Sequence, residues 1–333
     1  MGNYINMLMF VNKSLFLYCL FLVIISNYCI SQEDHYTHQI TFSTDNDVFT
    51  FDNGSDRYYS FGGGLKYTFT AKRFLGLQHL FKNKDNVFYD VEYRIEGYTP
   101  SDVNDFALTE RIEGPDEFDR PYAGLSYFTL GASYIFKRSF FKTELLVGVL
   151  GPSSQADEVQ SWFHRNIIDE PIYDGWKFQL EDQFLLNINS YYTHDFNPNH
   201  NWFNTFGTAN LKLGNLFNQA SAGLGFRIGK FAKISKSSSF NNSILLPKKN
   251  FEFFFQFSSS GGINISDATI QGNIFDRGKY SFSDLNNVSW NIKNGLYFSK
   301  NRFSCNISYS WSSGVLDTTE NHIFGTISGS YRF

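Results

Sequence analysis

Apolar and polar residues alternate along most of the chain from residue 39 to the C-terminus, which is the period-two pattern of β-strands. Residues 89–96 place tyrosine, valine and isoleucine on one face and only charged side chains on the other. Residues 251–257 carry phenylalanine at every second position. A single strand of this kind also suits a soluble sandwich with one solvated face. Repeated along the chain, the pattern favours a membrane barrel whose outer face meets lipid.

About twelve segments have the length and pattern of strands, and an even number suits a single-chain barrel. They lie near 38–45, 57–70, 87–98, 122–137, 142–150, 176–193, 203–214, 218–229, 250–261, 286–299, 302–313 and 322–333. The sequence therefore predicts an all-β fold, an antiparallel transmembrane β-barrel of about twelve strands. A barrel of this size encloses little more than its own side chains, so we expect a filled interior rather than an open pore.

The last predicted strand ends on Phe333, the final residue of the chain. Apolar side chains and glycines alternate there with polar side chains from Ile323 onward. A closing strand of this kind leaves no unpaired edge in lipid. It also resembles the C-terminal signal that outer-membrane barrels present to the barrel assembly machinery, which we therefore expect as a partner during biogenesis.

Residues 1–31 have the pattern of a signal peptide. Lys13 precedes an apolar run over residues 15–25, and Cys29, Ile30 and Ser31 follow the small-x-small rule for cleavage. The run is shorter than the roughly 20 residues that a membrane-spanning helix needs. We therefore predict a signal peptide at 1–31 and an outer-membrane barrel at 32–333, located in the outer membrane of a Gram-negative bacterium.

The composition agrees with a membrane barrel. Aromatic residues make up 19% of the chain, yet its mean hydropathy is only −0.29. Barrels combine these properties because they are apolar on alternate residues and carry aromatic girdles at both membrane interfaces. The net charge of −4 gives no reason to expect nucleic acid as a partner. Since a closed barrel has no free edge, we expect a monomer.

Residues 154–168 interrupt the strand pattern and predict a short helix inside a loop. Ser154 follows a Gly-Pro turn and can cap the helix. Gln160 and His164 are four residues apart and therefore share one face. The apolar side chains lie together on another face, at Val159, Phe163 and Ile167.

Three polar segments carry the candidate chemistry. They are Asn46 and Asp47 followed by residues 56–64 (DRYYSFGGG), residues 119–124 (DRPYAG), and residues 151–154 (GPSS) followed by Gln160, His164 and residues 175–179 (GWKFQ). Taken one at a time, each also has a simpler interpretation: turn residues with a bulge at residues 62–64, a pair of charges at the barrel rim, and a structural histidine.

In this order, the three segments resemble the lipid A 3′-O-deacylases of the outer membrane. The similarity runs from Asn46 to Gln179, and the C-terminal half resembles that family only in its barrel character. Ser60 stands where the family usually has threonine, and Gln183 stands where a glutamate is expected.

The resemblance implies a twelve-stranded barrel with a site near the outer leaflet, facing the cell exterior. It implies Ca²⁺-dependent hydrolysis of the acyl or acyloxyacyl ester at the 3′ position of lipid A, in lipopolysaccharide. The implied general base is His164, surrounded by Asn46, Asp47, Ser60 and Gln160. The cation would polarise the ester carbonyl.

Carboxylates are natural Ca²⁺ ligands, so Asp47 is the first candidate ligand and Glu170 the second. For the phosphates of lipid A, we expect Arg57 and Arg120 as ligands because a guanidinium group fits phosphate geometry. Arg94 is expected instead to form ion pairs inside the barrel.

Two other interpretations remain open at this point. One is an outer-membrane phospholipase with Ser60 or Ser154 as nucleophile and His164 as its partner. The other is a non-enzymatic barrel, either a pore or a structural protein, for which a loop helix carrying Gln160 and His164 has no obvious use.

Overall fold

The computed structural model describes residues 36–46, 49, 58–101, 118–168, 172–273, 285–316 and 319–333. The predicted signal peptide lies outside these residues, so the boundary at residue 31 stays a prediction. Within the described chain, twelve antiparallel strands form a closed barrel, which confirms the predicted fold class. The strands are β1 (His38–Asn46), β2 (Tyr58–Phe69), β3 (Asn86–Thr99), β4 (Ala123–Ile135), β5 (Ser139–Leu150), β6 (Gln183–Asp195), β7 (Phe203–Gly214), β8 (Phe217–Lys230), β9 (Phe251–Asp267), β10 (Val288–Lys300), β11 (Phe303–Ser312) and β12 (His322–Arg332).

Each strand pairs with its neighbours in sequence, and β1 closes the barrel by pairing with β12 from Gln39 opposite Arg332 to Asn46 opposite Gly325. The predicted alternation holds in space. On β9, for example, Phe251 and Phe253 are exposed on the outer face, whereas Glu252 and Phe254 are buried on the inner face. The outer face is therefore the apolar surface that a bilayer requires.

Two predicted strand boundaries were wrong. Strand β9 continues to Asp267, beyond the predicted end at residue 261. The segment predicted at 176–193 begins as a strand only at Gln183, because residues Asp174–Phe178 form a 3₁₀-helix that buries Trp176. The bulge in β2 lies at Ser60, where the register against β3 shifts, and not at residues 62–64, which continue the ladder.

The connections leave the barrel at two ends, which we name by what they carry. The terminal end holds both ends of the barrel chain and the turns at 70–85, 136–138, 196–202, 231–250 and 301–302. The helix end holds the connections at 47–57, 100–122, 151–182, 215–216, 268–287 and 313–321. The connection at 151–182 contains helix α1 (Ala156–Phe163), and the connection at 268–287 begins with the short helix α2 (Ala268–Gln271). None of the helices in the described ranges is long and apolar enough to cross a membrane.

Charged side chains of β1, β2, β3 and β5 point into the barrel and pair with one another. Arg94 contacts Asp45 at 2.5 Å, Glu96 at 3.0 Å and Glu92 at 3.7 Å, so its predicted place in a luminal ion-pair network is confirmed. Lys66 contacts Glu92 at 2.8 Å. This network lines a cavity of about 760 Å³ in the middle of the barrel.

Apolar clusters fill the barrel at both sides of this cavity. At the helix end, inward-facing leucines of β4, β5 and β6 pack around the buried Leu180. At the terminal end, residues 231–250 fold back into the barrel, where Ile234, Ile244 and Leu245 pack against Phe88. Glu252 ties this lumen segment (residues 231–250) to the wall by accepting hydrogen bonds from Ser237 Oγ at 2.8 Å and from the backbone N–H groups of residues 232 and 238. Apolar clusters therefore close the lumen on both sides of a polar cavity, so the described interior is not an open pore, although it is not filled throughout as predicted.

Candidate active site

Helix α1 lies on the outer wall of the barrel, against β3 and β4 at the helix end. The alternation of inward-facing and outward-facing side chains along the strands shows this placement. On β4, Phe128 faces lipid, so Gly124 and Tyr122 share its outward phase. Both contact the 151–182 connection: the Tyr122 ring lies 5.1 Å from the Trp176 ring, and Gly124 faces the start of α1. The helix therefore lies outside the lumen, on the membrane side of the wall.

The helix turns its polar face toward the protein and its apolar face away from it. Gln160 and His164 are 4% and 2% exposed, whereas Trp162 and Ile167 are 56% and 58% exposed. In a soluble protein this arrangement would be inverted, because apolar side chains would face the core. Beside a bilayer it is favourable, because the exposed apolar face meets lipid. Gln160 and His164 are consequently enclosed between helix and wall.

Trp176 fixes Gln160 within this enclosed space. Its indole Nε1–H donates to Gln160 Oε1 at 2.6 Å, and both side chains are buried. The Trp176 ring in turn packs on Tyr122. Gly175 must lack a side chain because a Cβ there would lie 2.3 Å from the Tyr122 ring. Two of the three polar segments, which are far apart in the sequence, therefore form one packed unit.

The start of the helix is pressed against β4 through glycine. A Cβ on Gly124 would lie 2.4 Å from Ser154 Oγ and 2.7 Å from the Cβ of Ala156. Gly151, with φ of 100°, turns the chain at this point, and its N–H donates to Gly124 O at 2.9 Å. Ser154 Oγ accepts from the Ala156 N–H at 3.3 Å. The predicted cap residue thus contacts the first helical residue, while Gln155 occupies the cap position itself.

His164 begins a π-helical turn, His164–Ile168, that continues α1. Its ring meets the ring of Tyr173 edge to face, with centroids 5.0 Å apart. Such π-helical turns occur frequently at functional sites. Tyr173 was not among the predicted site residues, and the sequence offers no motif that joins it to His164.

Asn46 and Ser60 share the outward side of the wall with this helix. Asn46 has the same phase on β1 as the exposed Ile40 and Phe42. The bulge at Ser60 changes the direction of the side chains of β2. Tyr59 points into the lumen, where it donates to Asp45 Oδ2 at 2.9 Å, whereas Phe61 packs outside against the buried cluster that includes Trp176.

Ser60 is fully buried, and its hydroxyl lies 2.5 Å from Thr99 Oγ1. Since Thr99 is at the outward phase of β3, this hydroxyl pair belongs to the helix side of the wall. Thr99 is a second residue that the sequence prediction missed, because it carries no motif of its own.

The predicted phosphate ligand Arg120 is enclosed by protein. It is 3% exposed, and its Nη2 donates to Thr269 O at 3.2 Å and to Thr269 Oγ1 at 3.3 Å. Its guanidinium lies 4.9 Å from the centre of the Tyr98 ring. Burial lowers the pKa of Arg120, against the opposing effect of the nearby Asp267 carboxyl group. This geometry favours a structural role, in which Arg120 joins the 100–122 connection to α2, over phosphate binding.

Three predicted residues, Asp47, Arg57 and Glu170, lie outside the described residues, so their roles stay predictions. Among the residues that the structure describes, no group of three or more His, Cys, Asp and Glu side chains is arranged to hold a metal ion. The side-chain oxygens of Asn46, Ser60 and Thr99 are of the type that a hard cation such as Ca²⁺ binds. A carboxylate ligand would come from the two acidic residues just named.

Most of the chain resembles proteins of known fold. The family model described as "Outer membrane protein LpxR" matches residues 15–333. The solved structure of LpxR from Salmonella typhimurium aligns with a TM-score of 0.71 at 16% sequence identity, covering 89% of this chain and 100% of that one. The β domain of the Bordetella autotransporter BrkA aligns over 90% of this chain and all of its own, at 9% identity and a TM-score of 0.42. No curated protein sequence matches the chain.

Proposed function

Because the chain belongs to the LpxR family of outer membrane proteins, we propose that it is an outer-membrane hydrolase that removes an acyl or acyloxyacyl group from the 3′ position of lipid A. The observation that carries this proposal is the placement of His164 and Gln160 between an outward-facing helix and the barrel wall. A lipid can reach such a site from within the leaflet, whereas a site in the lumen would be closed to it by the apolar clusters.

In the proposed reaction, His164 is the general base. A neutral imidazole takes a proton from water as the water attacks the ester carbonyl, and then gives it to the departing sugar oxygen. The C–O ester bond breaks, so the products are a free carboxylic acid and a hydroxyl group on the sugar. The edge contact with Tyr173 orients the imidazole, and the hydrogen bond from Trp176 orients Gln160 beside it.

The negative charge that develops on the carbonyl oxygen needs a positive field or hydrogen-bond donors. Asn46 and the Ser60 hydroxyl are the candidate donors, since both lie on the outward side of β1 and β2 at this end. Ca²⁺, when bound, would polarise the same carbonyl, with Asp47 and Glu170 as the candidate ligands.

The helix end faces the cell exterior in this proposal. Outer-membrane barrels carry short turns on the periplasmic side and longer loops outside. Here the longest connections, at 100–122 and 151–182, belong to the helix end. The substrate is therefore the lipid A of the outer leaflet.

The direct test is mass spectrometry of lipid A from outer membranes that contain the protein, its His164→Ala variant or a His200→Ala control. His200 lies in an exposed turn at the opposite end of the barrel. We expect loss of one acyl or acyloxyacyl group with the native protein and the control, and no loss with His164→Ala. Unchanged lipid A with all three folded proteins would contradict the proposal.

Two further arms separate the mechanisms. Chelation of Ca²⁺ should abolish the reaction, and added Ca²⁺ should restore it. Ser60→Ala should lower the rate by weakening the donor set, because the water mechanism needs no serine nucleophile. Complete loss in Ser60→Ala or Ser154→Ala, together with a covalent acyl-enzyme on the native serine, would favour the phospholipase-like alternative instead.

A further inference from the structure

The turn between β2 and β3, residues 70–85, lies against the outer wall of the barrel at the terminal end. Phe74 packs on Phe69 and Tyr89, with ring centroids 5.0 and 4.9 Å apart. Phe81 packs on Tyr134 at 4.8 Å. The Tyr134 hydroxyl also donates to the backbone oxygen of residue 77 at 2.9 Å. These partners are outward-facing side chains of β2, β3 and β4, so the turn covers lipid-facing wall and does not project away from the barrel.

Two leucines of this turn point away from the protein. Leu75 is 73% exposed and Leu80 is 59% exposed. Leu75 also has φ of 48°, in the left-handed region that a leucine adopts only at a cost in free energy. Packing within the protein does not offset this cost, because the side chain is outside. Exposed apolar side chains of this kind also occur on the outer face of the strands, such as Tyr93 on β3.

Basic side chains flank the leucines, and the whole terminal end is cationic. Lys72, Arg73 and Lys82 are exposed beside Leu75 and Leu80. The Lys and Arg side chains of this end that are exposed or partly exposed are Lys72, Arg73, Lys82, Lys84, Lys137, Arg138, Lys230, Lys233, Lys236, Lys248, Lys249, Lys300 and Arg302. Within the described ranges, Asp85 is the one exposed acidic side chain at this end.

The opposite end has the opposite balance. In the described connections of the helix end, the acidic side chains are Asp119, Asp157, Glu158, Asp174, Glu181, Asp182 and Glu320, against the basic Arg120, Arg165 and Lys177. The cationic character is therefore a property of the terminal end, not of the whole surface.

We propose that residues 70–85 form a binding surface for anionic phospholipid in the leaflet next to the terminal end. Leu75 and Leu80 insert among the acyl chains, and Lys72, Arg73 and Lys82 bind the headgroup phosphates. An amphipathic segment binds such an interface in two ways. Its apolar side chains are buried among the lipid chains, and each lysine or arginine adds electrostatic attraction to anionic lipid. The surface lies on the opposite end from the candidate active site, so the proposal does not depend on the proposed hydrolysis.

The test of the charges is native mass spectrometry of the barrel released from mixed micelles of phosphatidylglycerol and phosphatidylcholine in equal amounts. We expect the native protein to retain phosphatidylglycerol preferentially. Lys72→Gln with Arg73→Gln should lower that preference on the order of tenfold. The matched control is Lys233→Gln with Lys236→Gln, which removes the same charge at the same end from the lumen segment. Equal loss in both double variants, or no loss in either, would overturn the proposed surface.

The test of the leucines uses Leu75→Asn with Leu80→Gln. Asparagine tolerates the left-handed region, so this variant should fold as stably as the native protein in urea unfolding. We expect it to retain less phosphatidylglycerol than a Leu224→Gln control, which changes a lipid-facing leucine in the middle of the wall that is 66% exposed. If both variants retain as much lipid as the native protein, the leucines do not insert and the proposal is wrong.

Discussion

At the scale of single residues, the hydrogen bond from Trp176 to Gln160 is the contact that joins the helix to the tryptophan motif. Trp176→Phe would keep most of the packing on Tyr122 and remove the Nε1–H donor. Removing the donor of a buried hydrogen bond lowers the free energy of unfolding by about 1–3 kcal/mol. We expect a lower free energy of unfolding by that amount and a lower rate of lipid A deacylation.

The measurements for Trp176→Phe are urea unfolding and the mass-spectrometric lipid A assay. Trp202→Phe is the control, since Trp202 is 66% exposed at the terminal end. If Trp176→Phe behaved like this control in both assays, Gln160 would not need the indole for its position.

Arg120 shows what the sequence could not reveal at this scale. The sequence predicted a phosphate ligand here, because a guanidinium group fits phosphate geometry. Its partner in space, Thr269, lies 149 residues away in helix α2, which no sequence pattern predicted. A long-range contact of one side chain is fixed by strand register and loop path, and neither is visible in a local motif.

The buried position of Arg120 makes a prediction that separates the two roles. Arg120→Gln should lower the thermal stability of the barrel, because Thr269 and the Tyr98 ring lose their partner. If Arg120 does not bind the phosphates of lipid A, its replacement removes no contact with the substrate. The KM for lipid A should therefore stay within about twofold of the native value. A large rise in KM with unchanged thermal stability would restore the phosphate-binding role.

At the scale of elements, the sequence predicted most of the strand positions, but only part of the arrangement of helix α1. Strand positions follow from alternation, because every membrane strand must present lipid with an apolar face. The two faces of α1 were predicted as well, but not which face meets the barrel. Lipid is as apolar as a protein core, so hydrophobicity alone does not distinguish an inward from an outward apolar face.

The close approach of α1 to β4 at Gly124 predicts a matched pair of variants. In Gly124→Ala the new methyl group would overlap Ser154 and Ala156, so the helix must move away from the wall. We expect at least roughly tenfold lower deacylation, because a displaced catalytic group loses rate steeply. Gly329→Ala is the control, since a Cβ there meets no atom within 4 Å.

Both alanine variants should assemble into heat-resistant barrels, visible as a mobility shift on gels, because neither change breaks the strand ladder. Equal activity of Gly124→Ala and Gly329→Ala would show that the position of α1 does not matter for the reaction.

At the scale of the whole molecule, the barrel is a polar cavity held between two apolar clusters. Twelve strands and the absence of an open pore in the described barrel could be predicted, since strand number sets the diameter. How the interior is filled could not. The lumen segment has no strand or helix pattern, and its apolar residues at 234, 244 and 245 pack against side chains from strands that are distant in sequence.

This arrangement predicts how the molecule conducts ions. The native barrel should form no large, stable channels in planar bilayers, because the lumen segment occupies the terminal end and leucines occupy the helix end. Replacing residues 233–247 by a short glycine-serine turn removes most of the lumen segment, which blocks the terminal end. The remaining obstacle, at the helix end, is the packing of strand leucines around Leu180, which lies in the 151–182 connection, so movement of this connection should open it intermittently. We therefore expect brief, flickering openings in the shortened variant.

The control is the same kind of replacement in residues 72–83, which lie on the outer wall and not in the lumen. It should leave the barrel as silent as the native protein while shortening a turn at the same end. Openings in both shortened variants would mean that any damage to the terminal end lets ions through. Stable large conductance in the native barrel would instead mean that the apolar clusters do not close it, and the non-enzymatic pore would again become the better interpretation.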